Sequence, residues 1–374
     1  MWGRRKGAST GKGQRPRKPR PPFRQRLYTA LPVIAGSIVL TLIYGNADLF
    51  RKLEKMALAF EMRVRAPAAD SRVVIVRITD EDYQKYFSGK SPLDPVRLHD
   101  IIDKIATARP KVIAVDIDTS AEAFQSFQPA PDWPPVIWAR NATYSNVRGK
   151  YHLSGVLGRD TPLVPSGLVT LKFDSDGTIR SYARLYDTNI GLASSLPEEV
   201  LKKFPGYERR APAAPDFKEE FLINYPGPAE SEYFFRIPVW QLYEMSDQGR
   251  LGEGNLFENK MVILGGDYAV QDEHDTPVGW MTGSQILASI IETERRGGGR
   301  KPIGTVAVVF LAIVDSVVLL LFIHILGLGR TLLLSIVIIP ALAALLSLLF
   351  FGSVGYSGTF LIILIAVLAQ QVYE

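Results

Sequence analysis

Apolar positions along this chain follow two different patterns. Four long, predominantly apolar runs lie near its ends: Thr29–Ala47, Gly304–Leu326, Thr331–Phe351 and Tyr356–Val372. Each approaches the roughly 20 residues that cross about 30 Å of hydrocarbon at 1.5 Å per residue, so each is predicted to be a transmembrane helix. Between them lie about 250 residues in which apolar positions come in short clusters separated by turn residues, the pattern of a folded α/β domain. Val73–Thr79 is a β-branched strand run, Asp94-Pro95 pairs an N-cap with proline at the first helical position, and Val96–Ala108 repeats apolar residues at helical spacing. Lys111–Val115 then reads as a second buried strand, which makes a βαβ unit with a parallel pair and a right-handed crossover. Further strands are expected at Val136–Ala139, Leu168–Phe173, Ile179–Leu185, Phe221–Tyr225 and Met261–Gly265, and helices at Asn189–Phe204, Pro238–Glu244 and Thr282–Glu294. Asp176-Gly177 marks a tight turn between Phe173 and Ile179, because glycine accepts positive φ. The fold class is therefore an α/β extracytoplasmic domain with a largely parallel βαβ core, plus four transmembrane helices.

Charge orients this arrangement. Ten basic residues and no acidic ones precede the first apolar run, from Arg4 to Arg26, and the positive-inside rule puts such a tail in the cytoplasm. Four crossings return the C-terminus to the same side, with Arg330 on the inner turn. The flanks Arg51, Lys52, Lys55 and Arg295, Arg296, Arg300, Lys301 pull the other way and are outweighed by the tail. The predicted organisation is a disordered basic tail at 1–26, a first span at 27–49, the extracytoplasmic domain at 50–302 and three spans at 303–374, in a bacterial inner membrane. The first span is expected to remain as an uncleaved anchor, since no small-x-small cleavage site follows it. Taking the ten tail charges from the formal +5 leaves −5 on the rest, so a nucleic-acid role is excluded as an expectation. With no cysteine there are no disulfides and no thiol chemistry. No glycine-rich phosphate loop, nucleophile elbow or His-Glu-x-x-His is present, and the chain is expected not to be an enzyme.

An ordered set of motifs resembles a known family. Val73-Val-Ile-Val-Arg-Ile-Thr-Asp80, Pro95 with Arg97, Lys111-Val-Ile-Ala-Val-Asp116, Asp174-Ser-Asp-Gly-Thr-Ile-Arg180, Ile223-Asn-Tyr-Pro-Gly-Pro228, Lys260-Met-Val-Ile-Leu-Gly-Gly266, Asp272, Thr276-Pro277 and Gly283 with Ala288 follow in that order. With the one-plus-three pattern of apolar runs, this resembles CHASE2, an extracellular sensor module of bacterial receptors, from Thr29 to Glu374. Three positions depart from the pattern: Leu93-Asp94-Pro95 replaces a Trp-Pro, Leu287 stands for a histidine, and Thr119 for an aromatic. The resemblance implies a receptor, yet many such receptors continue into a cytoplasmic output domain and this chain stops at Glu374. A separate signalling partner, or an assembly role in a homo-oligomer or membrane complex, is the expectation.

Ligand chemistry is expected where strands end, because open α/β sheets bind ligands beyond their carboxyl ends. Asp80, Asp116, Asp118, Asp267 and Asp272 sit just past proposed strands, and together they suit Ca²⁺, Mg²⁺ or a cationic small molecule, while the same aspartates also suit helix caps and turns. Arg180 suits either an anionic ligand or a neighbouring acid. His274 lacks zinc-ligand spacing, and Trp133, Trp138, Trp240 and Trp280 are read as core. Asp315, alone in the middle of the second apolar run, marks an intramembrane contact. Two readings remain open: a sensor that signals through a partner, and a structural subunit.

Overall fold

The computed structural model describes residues 71–299, apart from 148, 162, 208–218, 229–230, 253–255 and 269–271. The basic tail, the four apolar runs and Asp315 lie outside the described residues. Among those residues, no helix is long and apolar enough to cross a membrane.

The chain runs β1 (Val73–Thr79), α1 (Asp80–Phe87), α2 (Pro95–Thr107), β2 (Val112–Asp116), β3 (Val136–Arg140), β4 (Ala142–Ser145), β5 (Lys150–Leu153), β6 (Ser166–Leu168), β7 (Ser181–Ala183), β8 (Leu185–Thr188) and β9 (Gly191–Ser194). It continues through α3 (Leu196–Lys203), β10 (Glu220–Leu222), β11 (Phe235–Pro238), α4 (Val239–Asp247), β12 (Met261–Asp267), β13 (Glu273–Thr276), β14 (Gly279–Thr282) and α5 (Gly283–Arg295). The centre is a six-stranded sheet in the order β11-β1-β12-β2-β3-β6. Every neighbouring pair in it is parallel. A four-stranded sheet, β4-β5-β8-β9, and the small pairs β7/β10 and β13/β14 are added around it.

The central strands are near-continuous apolar runs because both of their faces are covered. Val73, Ile75, Ala114, Ile137 and Ile263 point to one face and pack with Leu196, Val200 and Leu201 of α3 and Ile286, Leu287, Ile290 and Ile291 of α5. Their sequence neighbours Val74, Val76, Ile113, Val115, Trp138 and Val262 point to the other, against Leu98, Ile101, Ile102 and Ile105 of α2 and Leu242 of α4. The period of two along each strand thus builds a three-layer α/β/α sandwich.

Several sequence expectations need correction. β1 and β2 are parallel but not neighbours, because β12, arriving from about 150 residues later, lies between them and bonds to both. Asn189–Phe204 is not one helix: Gly191–Ser194 forms β9 against β8, and the helix starts only after Ser195, whose hydroxyl accepts from the Glu198 N–H. Of the expected strand Leu168–Phe173 only Leu168 lies in one, at the end of β6, with Lys172 forming an isolated bridge to Ser181, and Ile179–Leu185 is divided between β7 and β8. The turn at Asp176-Gly177 forms as expected, with Gly177 at φ 79° and its N–H donating to the Asp174 carbonyl. α1 was not anticipated. It starts with a reciprocal cap between Thr79 and Asp82, and only Tyr83, Tyr86 and Phe87 give it apolar surface.

Candidate functional site

β12 is the strand around which the candidate site is organised. The connections after β1 and β2 cross to the α2/α4 face, whereas β12 leads, through the β13/β14 hairpin, to α5 on the opposite face. Chain therefore departs in opposite directions on either side of β12, which opens a crevice at the carboxyl edge along each of its flanks.

The β2 flank opens into a cleft of about 540 Å³, lined among others by Asp116, Asp118, Asn141, Tyr268, Asp272 and His274. Asp116 ends β2 and is half-buried, and among the described residues no donor reaches its carboxylate. Burial, and then the nearby Asp272 carboxylate, push it up to about 7, while His274 acts in the opposite direction. Asp272 is held at the start of α5: its Oδ2 accepts from the Gly283 N–H at 3.0 Å, and His274 Nε2 lies 3.3 Å from Oδ1. The positive end of the α5 dipole favours that carboxylate there. Gly265 lets α5 approach this closely, because a β-carbon on it would lie 2.8 Å from Ser284 Cβ. Tyr268 stacks on Tyr83 with ring centroids 4.3 Å apart, and burial raises its phenol to about 12, so it remains a hydrogen-bond donor. Asp118 lines the same cleft and is exposed, and its Oδ1 accepts from the Ser120 N–H in a local turn.

The β1 flank opens into a second cleft of about 330 Å³ that includes Arg77, Arg236, Asp267, Glu273, Trp280 and Gln285. Here Asp267 pairs with Arg77 at 2.8 Å. The aspartates expected on one rim are thus divided by β12 into an acidic cleft and a mixed-charge one. Asp80 is the exposed first residue of α1, where acidic side chains suit the helix dipole. Arg180 clamps its own turn, bonding Asp174 at 2.5 Å and Asp176 at 2.7 Å, and its guanidinium holds the Asp176 carboxyl well below the usual range. Among the described residues no three His, Asp or Glu side chains come together as a metal-binding group. The arrangement at Asp116 suits a cationic or hydrogen-bond-donating organic molecule better than a bare ion, since two nearby carboxylates, a phenol and apolar walls from Val169, Leu171 and Leu287 can each take part.

A CHASE2 domain model matches residues 34–328. The chain belongs to the CHASE2 family. CHASE2 domains are extracellular sensors, so a sensing role goes with membership. No curated protein and no solved structure matches the chain.

The positions where this CHASE2 chain departs from the family pattern have structural roles. Asp94 caps α2, with Oδ1 accepting from the Val96 N–H at 2.8 Å. Thr119 is buried and ties the loop after β2 to the Leu157 N–H at 3.2 Å. Leu287 is part of the core and of the cleft wall. Of the tryptophans read as core, Trp138 is buried, but Trp240 and Trp280 are exposed. Tyr268 and Asn141 were missed in the sequence; the only signal for either was its place directly after a strand, β12 or β3.

Proposed function

We propose that the chain is a multi-pass CHASE2 sensor of a bacterial inner membrane, with residues 71–299 extracytoplasmic. In this reading the cleft at Asp116 takes a small organic cation, and the signal passes through the membrane helices to a separate cytoplasmic partner, without catalysis by this chain. The observation that carries it is the cleft itself: it lies at a topological switch point and has a half-buried carboxylate with no hydrogen-bond donor among the described residues. The span of the family match supports the membrane part, because it takes in most of the first apolar run and all of the second. α5 offers a route for the signal. Its first residue is bonded to Asp272 in the cleft, and its last turn lies next to the start of β1, where Glu292 accepts from the Arg72 N–H at 2.7 Å.

Native mass spectra of the full chain, with putrescine and spermidine as cationic probes, test the reading. A co-purified or added amine should stay bound to the folded chain and be lost in Asp116→Asn. Equal retention by the variant, or no binding of either probe and no co-purified mass, would refute the cleft as a cation site. The structural-subunit alternative has its own observation: β11 is a sheet edge, and Phe235 on it and Trp240 just beyond are exposed. A defined oligomer of the full chain that is dispersed by Phe235→Glu would favour that reading.

A further inference from the structure

The opposite edge of the sheet, where the strands begin, carries the opposite charge. Arg72 immediately precedes β1, Lys111 precedes β2, Asn259 precedes β12 and Arg295 ends α5, and these four line a cleft of about 520 Å³ with Phe204 and Tyr207. Arg72 and Lys111 are exposed, and neither side chain is hydrogen-bonded or ion-paired among the described residues. Arg295, by contrast, pairs with Glu292 at 2.9 Å.

The chain also enters and leaves the domain at this edge. Ser71 and Arg72 are bonded to Glu292 in the last turn of α5, so the first and last described segments are neighbours. The apolar run Gly304–Leu326 begins five residues after Gly299. A lipid surface that received that run would lie within a few residues' reach of this edge, whereas the acidic cleft at Asp116 is at the other end of α5, a helix about 20 Å long at 1.5 Å per residue.

We infer that this basic edge is a docking surface for anionic phospholipid headgroups, with lipid phosphate received between Arg72 and Lys111. The partner is fixed by charge complementarity and by the position of the adjoining apolar run. Two cations without a partner among the described residues, over an aromatic-walled cleft, match phosphate above an acyl boundary, and seating this edge on the bilayer presents the acidic cleft to the aqueous side. It holds β1 and α5, the two elements joined at Glu292, against the headgroups through which a shift of α5 has to pass. The inference rests on the membrane reading proposed above.

The chain has no cysteine, so a single introduced one is labelled uniquely. The full chain carrying Asn259→Cys, or Asp118→Cys at the opposite edge, is labelled with a fluorophore and reconstituted in phosphatidylcholine with or without phosphatidylglycerol, each containing a headgroup-spin-labelled quencher lipid. Quenching is expected at position 259 and not at 118, only when phosphatidylglycerol is present, and it should fall as salt is raised. A basic residue close to an anionic surface is worth roughly a fivefold change in occupancy, so Arg72→Gln with Lys111→Gln should shift the seated-to-lifted ratio about 25-fold. No quenching at 259 overturns the inference, and so does quenching that is equal in both lipids and in the double variant, which would mean that the tether alone holds the edge down. If inorganic phosphate releases the label far more effectively than chloride at equal ionic strength, the cleft takes free phosphate and the lipid assignment falls. Failure of the chain to float with liposomes at all would instead refute the membrane reading.

Discussion

Asp82 gives the sharpest test of how this domain is held together. It is fully buried, and its carboxylate accepts four hydrogen bonds: from the Thr79 N–H at 3.0 Å, the Thr79 hydroxyl at 2.8 Å, the Val239 N–H at 3.1 Å and the Trp240 N–H at 2.8 Å. One side chain thus caps two helices, because α4 follows Pro238 and receives no cap from its own N-cap side chain. Asp82→Ala removes the reciprocal cap on α1, which costs about 1 kcal/mol, and leaves the first N–H groups of α4 without an acceptor, at about 1–3 kcal/mol for each buried donor. The expected loss is about 4 kcal/mol. Urea unfolding of the full chain, followed by tryptophan fluorescence, should show it directly. With a slope of about 3 kcal/mol/M, as suits a domain of this size, the midpoint should fall by roughly 1.3 M. Asp82→Asn keeps one acceptor oxygen and should lie in between, while Thr79→Ala, which spares α4, should cost only about 1 kcal/mol. A midpoint shift for Asp82→Ala no larger than that for Thr79→Ala would show that water satisfies the α4 donors and that the double cap contributes nothing.

The Asp116 carboxyl should make stability fall with rising pH. Its folded value of about 7 lies above the usual aspartate value of 3.8, so between these limits the folded state holds the extra proton; its contribution is intact below about 4 and lost as the pH rises through about 7. Asp116→Asn should therefore raise the melting temperature more at pH 8 than at pH 5, and an equal shift at both would refute the assignment. Arg184 and Glu294 form a nearly buried pair at 2.6 Å, with Tyr182 donating to the same carboxylate and Phe221 stacked under the guanidinium at 3.8 Å. Removing one partner leaves a buried charge, so Arg184→Met should cost about 3–5 kcal/mol while Arg184→Met with Glu294→Leu recovers much of it, measured as a double-mutant cycle in urea.

Much of the core was legible because its signals are local. β1, β2 and β12 are buried on both faces, so their sequences are near-continuous apolar runs, and α2 and α5 begin at side-chain caps, at Asp94 and Thr282. Where a pattern was ambiguous, long-range pairing decided: residues 191–194 became a strand because β8 was available beside them, and α1 formed on few apolar residues because Asp82 binds the start of α4, nearly 160 positions away.

The sequence by itself determined that acidic side chains follow the strands, that the chain has long apolar runs at both ends, and that the family is CHASE2, because each of these depends on residue types in order. Only the tertiary structure decided how the acids are shared out. The insertion of β12 between β1 and β2 put Asp267 beside Arg77 in one cleft and Asp116 with Asp272 in another, while Arg180 was drawn to Asp174 and Asp176. It also decided that Arg72, Lys111 and Arg295 share an edge. Strand order joins residues up to about 190 positions apart, and a local pattern of side chains carries no record of which distant strand will pair with which.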